Sequence, residues 1–139
     1  MSLGFGSERT WPRPGRSGVD VLVVDDDGAL RSTEASILRD AGYSVATAED
    51  GDDALRVLDE LDVRLVLLDL RMPRRDGLSV LEALPAAQLV VLVSAYSLDD
   101  ATRATVDARV VTYLEKPVAP HRLLETVAGS LARTPTPSG

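Results

Sequence analysis

Cysteine is absent, so disulfide staples and thiolate metal sites are excluded, and the expectation is a protein of the reducing cytoplasm. No apolar run is long enough to cross a bilayer, and the first residues lack the apolar stretch of a secretory signal. Basic charge is in deficit: the formal net charge is −7 and the pI about 4.6. Such a surface repels nucleic-acid phosphates, which argues against direct nucleic-acid binding by this domain. Histidine occurs once, and His121 has no visible partners for a metal-ligand role. It reads as a surface residue near the start of the last helix. No internal repeat is visible.

What remains is a globular balance: 45% apolar and 27% charged residues in a 139-residue chain. That length allows one domain with a real core and is too short for two ordinary ones. Residues 1–18 are dense in Gly, Pro, Ser and Arg without periodicity, and read as a flexible N-terminal tail carrying a loosely docked Trp11. Residues 133–139, "RTPTPSG", break a helix and read as a C-terminal tail or the start of a linker. The folded domain is expected over residues 19–132.

Within it, apolar runs alternate with amphipathic stretches. Val19–Val24, Leu65–Leu68, Leu89–Val93 and Val110–Leu114 are short, β-branched and nearly continuous, as strands buried on both faces must be. Tyr43–Ala48 is less apolar and suits an edge strand. Leu30, Ile37, Leu38 and Ala41 predict one helical stripe, stopped by Gly42. Ala54, Leu55, Leu58 and Leu61 predict a second. Leu78, Leu81 and Leu84 predict a third, of about two turns, ended by Pro85. Residues 98–108 predict a more weakly anchored helix, and Leu123, Leu124, Val127 and Leu131 the last. Five strands alternating with five helices mean a doubly wound α/β fold, a parallel sheet covered on both faces.

In such a sheet, ligands bind outside the carboxyl ends of the strands. Strand one ends in Asp25 and Asp26, strand three in Asp69 and strand four in Ser94, while Lys116 follows strand five. Each alone has an ordinary explanation: Asp69 as a loop residue, Ser94 as a turn residue, Lys116 as a solvated cation. Asp27 fits an N-cap of the Leu30 helix better than a ligand. Joint placement at one rim outweighs these separate readings. Carboxylates about 4 Å apart repel by about 4 kcal/mol at an effective dielectric near 20, so the cluster needs a cation or a proton. Hard oxygen ligands at few positions suit Mg²⁺ shared with a phosphate. An aspartate there can act as nucleophile toward a phosphoryl group, with Lys116 and Ser94 contacting its oxygens.

"VLVVDDDGALR", "LVLLDLRMPRRDGL", "VVLVSA" and "YLEKPV", in this order and spacing over roughly residues 19–132, resemble the receiver domain of two-component response regulators. The resemblance implies a flavodoxin-like (βα)5 three-layer sandwich with sheet order 2-1-3-4-5. It implies a switch that accepts a phosphoryl group from a sensor histidine kinase on Asp69 and controls an output domain or downstream partner. Asp25, Asp26, Asp69 and the backbone carbonyl of Arg71 would hold Mg²⁺. Ser94 would bond the phosphoryl group and Lys116 would pair with it. Tyr113 would be the aromatic switch, although a half-buried strand tyrosine explains that residue equally well. The Lys116–Pro117 bond would be cis. Pro73 and Gly77 would be structural, shaping the loop into the third helix. Such a domain is no conventional enzyme, but it catalyses its own phosphotransfer and dephosphorylation. Homodimerisation through the fourth and fifth helices is a family analogy.

The chain departs from the family at Arg109 and Val110, where Gly-Ala is usual before the switch aromatic. Arg71 and Tyr96 are bulky at positions that modulate phosphoryl lifetime in the family. Three rivals stand beside this reading. "VVDDDGAL" also resembles the opening of haloacid-dehalogenase-type phosphatases, with Asp25 as nucleophile and Asp27 as acid/base. Against it, Ala29 replaces the threonine and only Glu125 follows Lys116 as an acidic residue. A receiver-shaped module that is never phosphorylated is the second. The third, a flavodoxin-like cofactor binder, wants a Gly/Ser/Thr-rich phosphate loop where this chain has three aspartates.

Overall fold

The computed structural model describes residues 11–70, 77–95, 100–109 and 112–132. Five strands and five helices alternate: β1 (Ser17–Val24), α1 (Gly28–Asp40), β2 (Val45–Ala48), α2 (Gly51–Glu60), β3 (Leu61–Asp69), α3 (Gly77–Ala83), β4 (Leu89–Ser94), α4 (Asp100–Asp107), β5 (Thr112–Glu115) and α5 (Pro120–Ala132). The strands form one parallel sheet in the order β2-β1-β3-β4-β5, as the resemblance implied.

Strand periodicity divides the core. Leu22, Val24, Val66, Leu68, Val90 and Leu92 point to one face, where Ala54, Val57, Val80, Leu81 and Val106 of α2, α3 and α4 cover them. Their neighbours Val21, Val23, Leu65, Leu67, Val91 and Val93 point to the other, under Leu38 of α1 and Leu123, Val127 and Leu131 of α5. That alternation makes three layers from near-continuous apolar strands. Each fully buried leucine or valine contributes about 1.5–3 kcal/mol relative to an exposed one.

Local signals set the helix ends. Asp27 caps α1, its side chain accepting from the Ala29 and Leu30 amides. Gly42 follows the other end with φ +102°, a conformation that costs a residue with a Cβ. Helix α3 has seven residues, the two turns expected. Helix α4 is weakly anchored, with Val106 the buried residue among its described side chains. His121 is exposed in the first turn of α5, and the Lys116–Pro117 bond is cis.

Two expectations need correction. Leu30 does not point inward with Ile37 and Leu38; it is 40% exposed, and Ala41 is an exposed C-cap. The buried face centres on Ala35 and Leu38, roughly 110° around the helix from Leu30. Leu61 belongs to β3, not to α2, which ends at Glu60. The strand thus starts four residues before Leu65, pairing Leu61, Asp62 and Val63 with Ser17, Gly18 and Val19. Ahead of the expected start at Val19, β1 begins at Ser17, and Arg13 and Arg16 both pair with the buried Asp62. Trp11 lies against Gly18 and has the Arg64 guanidinium 5.6 Å from its ring. Arg71, Pro73, Tyr96, Val110, residues 1–10 and residues 133–139 lie outside the described residues.

Candidate functional site

Four strand ends deliver the polar groups. Asp69 is the last residue of β3, Ser94 the last of β4, Asp25 follows β1 directly, and Lys116 follows β5. Parallel register aligns them: Asp69 pairs with Val93, one residue short of Ser94, and Ser94 pairs with Glu115, one residue short of Lys116. The Lys116 amide closes this edge by donating to the Ser94 carbonyl at 2.8 Å. Asp25, Asp69 and Ser94 are buried, whereas Asp26 is exposed at the mouth.

Asp25, Asp26 and Asp69 each present a carboxylate oxygen within 4.8 Å of the others. The Lys116 ammonium lies 3.1 Å from Asp25 Oδ2 and 3.3 Å from Asp69 Oδ2. Burial by itself would lower the lysine's pKa, but the charges of Asp69 and Asp25 and their hydrogen bonds hold it above its usual value. It therefore stays a cation between two anions. Asp25 is pinned at every polar atom. Its amide donates to the Ala48 carbonyl, its carbonyl accepts from Arg31, Oδ1 accepts from the Asp27 amide, and Oδ2 meets Lys116.

Gly77 explains how α3 fits beside the site. A Cβ there would lie 2.6 Å from the Asp69 carbonyl oxygen and from Leu70 Cα, so any larger residue would push the end of β3 aside. The Gly77 amide donates to the Leu70 carbonyl at 2.8 Å. Tyr113 is half-buried on β5 beside Leu92 and packs on the α2–α4 face, with the Arg103 guanidinium 6.0 Å from its ring. Arg109 reaches back to the Leu84 carbonyl at 2.5 Å, tying the approach to β5 onto the end of α3.

Two residues of the site were missed from sequence. Glu34, on α1, shares a cavity of about 490 Å³ with Lys116, Leu30, Ile37 and Val118. Burial, then the charge of Asp25, push its carboxyl up to about 7, with Lys116 opposing and Asp69 and Asp27 adding. Nothing local marked it, since one acid on a helix is ordinary. Arg31 is the other, and its signal was legible: a cation in the first helical turn, unfavourable to the helix dipole unless carboxylates stand near.

A doubly wound α/β sandwich whose carboxyl rim gathers three aspartates, a serine and a lysine defines a class of acidic-rim switch-point domains. Residues 21–128 match the response regulator receiver domain family, and the chain belongs to that family, the receivers of two-component systems. It is 37% identical over 123 residues to the transcriptional regulatory protein ZraR of Salmonella typhimurium, covering 86% of this chain and 28% of that one. It is 38% identical over 125 residues to the response regulator MprA of a Mycobacterium species, covering 87% of this chain and 54% of that one. The chain thus spans from about a quarter to just over half the length of such relatives. Among solved structures, the receiver domain of NtrX from Brucella abortus matches with a TM-score of 0.76 at 31% identity, covering 83% of this chain and 100% of that one. A CheY-like receiver from Methanospirillum hungatei matches with a TM-score of 0.75 at 27% identity, covering 84% and 94%. No helix among the described residues is long and apolar enough to cross a membrane.

Proposed function

We propose that this receiver accepts a phosphoryl group on Asp69 from a sensor histidine kinase, in a Mg²⁺-dependent reaction, and switches through Ser94 and Tyr113 to control an output domain or a separate partner. One observation carries the reading: oxygens of Asp25, Asp26 and Asp69 converge within 4.8 Å while Lys116 bonds two of the three. That donor set fits Mg²⁺, which takes few hard protein oxygens and keeps several waters. The Arg71 carbonyl, outside the described residues, would be a further ligand. When bound, the ion neutralises charge on the phosphoryl oxygens.

The rest is the work of the chain's own side chains. An Asp69 carboxylate oxygen attacks phosphorus in line with the donor's P–N bond. The O–P bond forms, the P–N bond breaks, and its electron pair leaves on the imidazole. Lys116, 3.3 Å from Asp69, pairs with the transferred phosphoryl oxygens. Ser94, at the end of the next strand, donates its hydroxyl to one of them. Phosphorylation adds about 1.5–2 negative charges. A full switch needs about 5.5 kcal/mol of differential stabilisation, within reach of several charge-assisted hydrogen bonds. Helix α4 responds most easily because so little of it is buried, and Tyr113 moves inward as the loop after β4 closes. The regulatory output of relatives such as ZraR, and pairing of copies through α4 and α5, extend this proposal to the whole protein.

The phosphatase alternative loses its acid/base, because Asp27 Oδ1 already accepts from two amides at 3.0 and 3.1 Å as a helix cap. Labelling with a small phosphodonor tests the proposal. Label should appear with Mg²⁺, vanish on chelation and vanish in Asp69→Asn. Label kept in Asp69→Asn but lost in Asp25→Asn would favour the phosphatase. Unchanged amide exchange over residues 94–116 with a phosphoryl mimic and Mg²⁺ would refute the switch.

A further inference from the structure

We propose that Arg31 is a positioning residue for the carboxylate cluster, acting through the peptide bond between Asp25 and Asp26. Its Nη1 donates to the Asp25 carbonyl at 2.7 Å, while its own amide donates to the Asp27 carbonyl at 2.9 Å. One residue on α1 thereby holds both sides of the turn that carries Asp25, Asp26 and Asp27. The guanidinium folds back over the start of the helix, where Nη2 lies 3.6 Å from the position of a Cβ on Gly28.

Asp26 is the member of the cluster that needs this help. Asp25 is buried and bonded at each polar atom, and Asp69 is held at the end of a central strand. The Asp26 carboxylate is exposed, and among the described residues it makes no hydrogen bond or ion pair. Its backbone therefore decides where its oxygens point. Fixing the carbonyl of residue 25 fixes the peptide plane that leads into residue 26, and with it the direction of the Asp26 side chain. Outer partners that orient a ligand in this way change metal affinity by about 10–100-fold when removed.

A charge argument predicts the opposite sign. Arg31 is a cation bonded to the backbone of the cluster, so removing it should strengthen cation binding if its charge alone mattered. Two arginine variants separate the two effects, and the inference rests on the cation-site reading given above. Mg²⁺ affinity is measured by titration calorimetry on the wild type, Arg31→Met and Arg31→Lys, with the melting temperature and the Asp26 and Asp27 amide resonances followed in parallel. Positioning predicts affinity about tenfold weaker in Arg31→Met, partial recovery in Arg31→Lys, and shifted amides at 26 and 27 even without Mg²⁺. Equal or tighter binding in a folded Arg31→Met overturns it. Should Arg31→Met fail to melt cooperatively, Arg31→Gln, which keeps a donor without the charge, takes its place. Binding in that variant tighter than wild type, with the Asp26 and Asp27 amides unmoved, also overturns the inference, since loss of the charge would then be all that counts. A wild type that binds no Mg²⁺ refutes the cation-site reading itself; the metal-free amide shifts then still decide whether Arg31 orders the turn.

Discussion

Two buried aspartates stand at opposite ends of β3, and they are treated differently. Asp62 is 6% exposed and Asp69 5%. Asp62 receives the Arg13 amide at 2.6 Å, the Arg13 guanidinium at 2.6 Å and the Arg16 guanidinium at 2.7 Å. Arg16 also donates to the Asp59 and Leu58 carbonyls, capping α2 from below. Asp69 instead shares one ammonium with Asp25. At one end two cations surround a single anion; at the other, among the described residues, carboxylates outnumber the cations. The first arrangement is complete in itself and holds the chain in place. The second leaves an excess of negative charge, which the proposed Mg²⁺ would balance.

The contrast is checked first by deletion. Asp62→Asn should cost about 2 kcal/mol in urea unfolding, because it removes a buried charge shared by two partly exposed arginines and by the Arg13 amide in the turn before β1. Asp69→Asn should cost less than about 1 kcal/mol, or stabilise, because it relieves repulsion from Asp25. Equal losses at the two ends would dissolve the distinction.

Acid should reverse it in part. Hydrogen bonds from Arg13, opposed by burial, hold the Asp62 carboxyl well below the usual carboxylate range. A carboxyl lowered on folding adds stability above its unfolded pKa of about 3.9, and that stability is lost as pH falls below it. The unfolding gap between wild type and Asp62→Asn should therefore shrink between about pH 4 and pH 2. A gap that stays constant over that range would mean the ion pairs contribute nothing.

The smallest effect belongs to Glu34. Its carboxyl is pushed up to about 7, so the folded state binds a proton that the unfolded state has released above about pH 4.3. Stability should fall as pH rises from about 4.3 to 7, with the penalty complete above 7. Glu34→Gln should stabilise by about 1 kcal/mol at pH 8, after discounting for solvent screening, and by little at pH 4. No difference at pH 8 would show that neither burial nor the rim's charge holds this carboxyl up.

The rim was readable from sequence because its residues are tied to strand ends. An apolar run followed at once by Asp25, by Asp69 or by Ser94 needs only a parallel sheet to bring the three together. Asp27 was readable as a cap because capping is a contact within three residues. The lower end was not. Arg13 and Arg16 pair with an aspartate more than forty residues away, and a Pro- and Gly-rich stretch carries no periodic mark of such a partner. Polar Asp62 and Arg64 likewise hid the first residues of β3, since alternating charge reads as a strand's end until its neutralising partners are seen.

Apolar periodicity, turn residues and acidic strand ends determined the layers, the order of elements and the location of the site, because each is set by interactions along the chain or between whole strands. Tertiary structure decided how the charges are shared: which aspartate gets two arginines, which divides a lysine, and which carboxyl on α1 is pushed toward neutrality. Charge balance depends on distance in space and on exclusion of water, and neither is a property of sequence spacing.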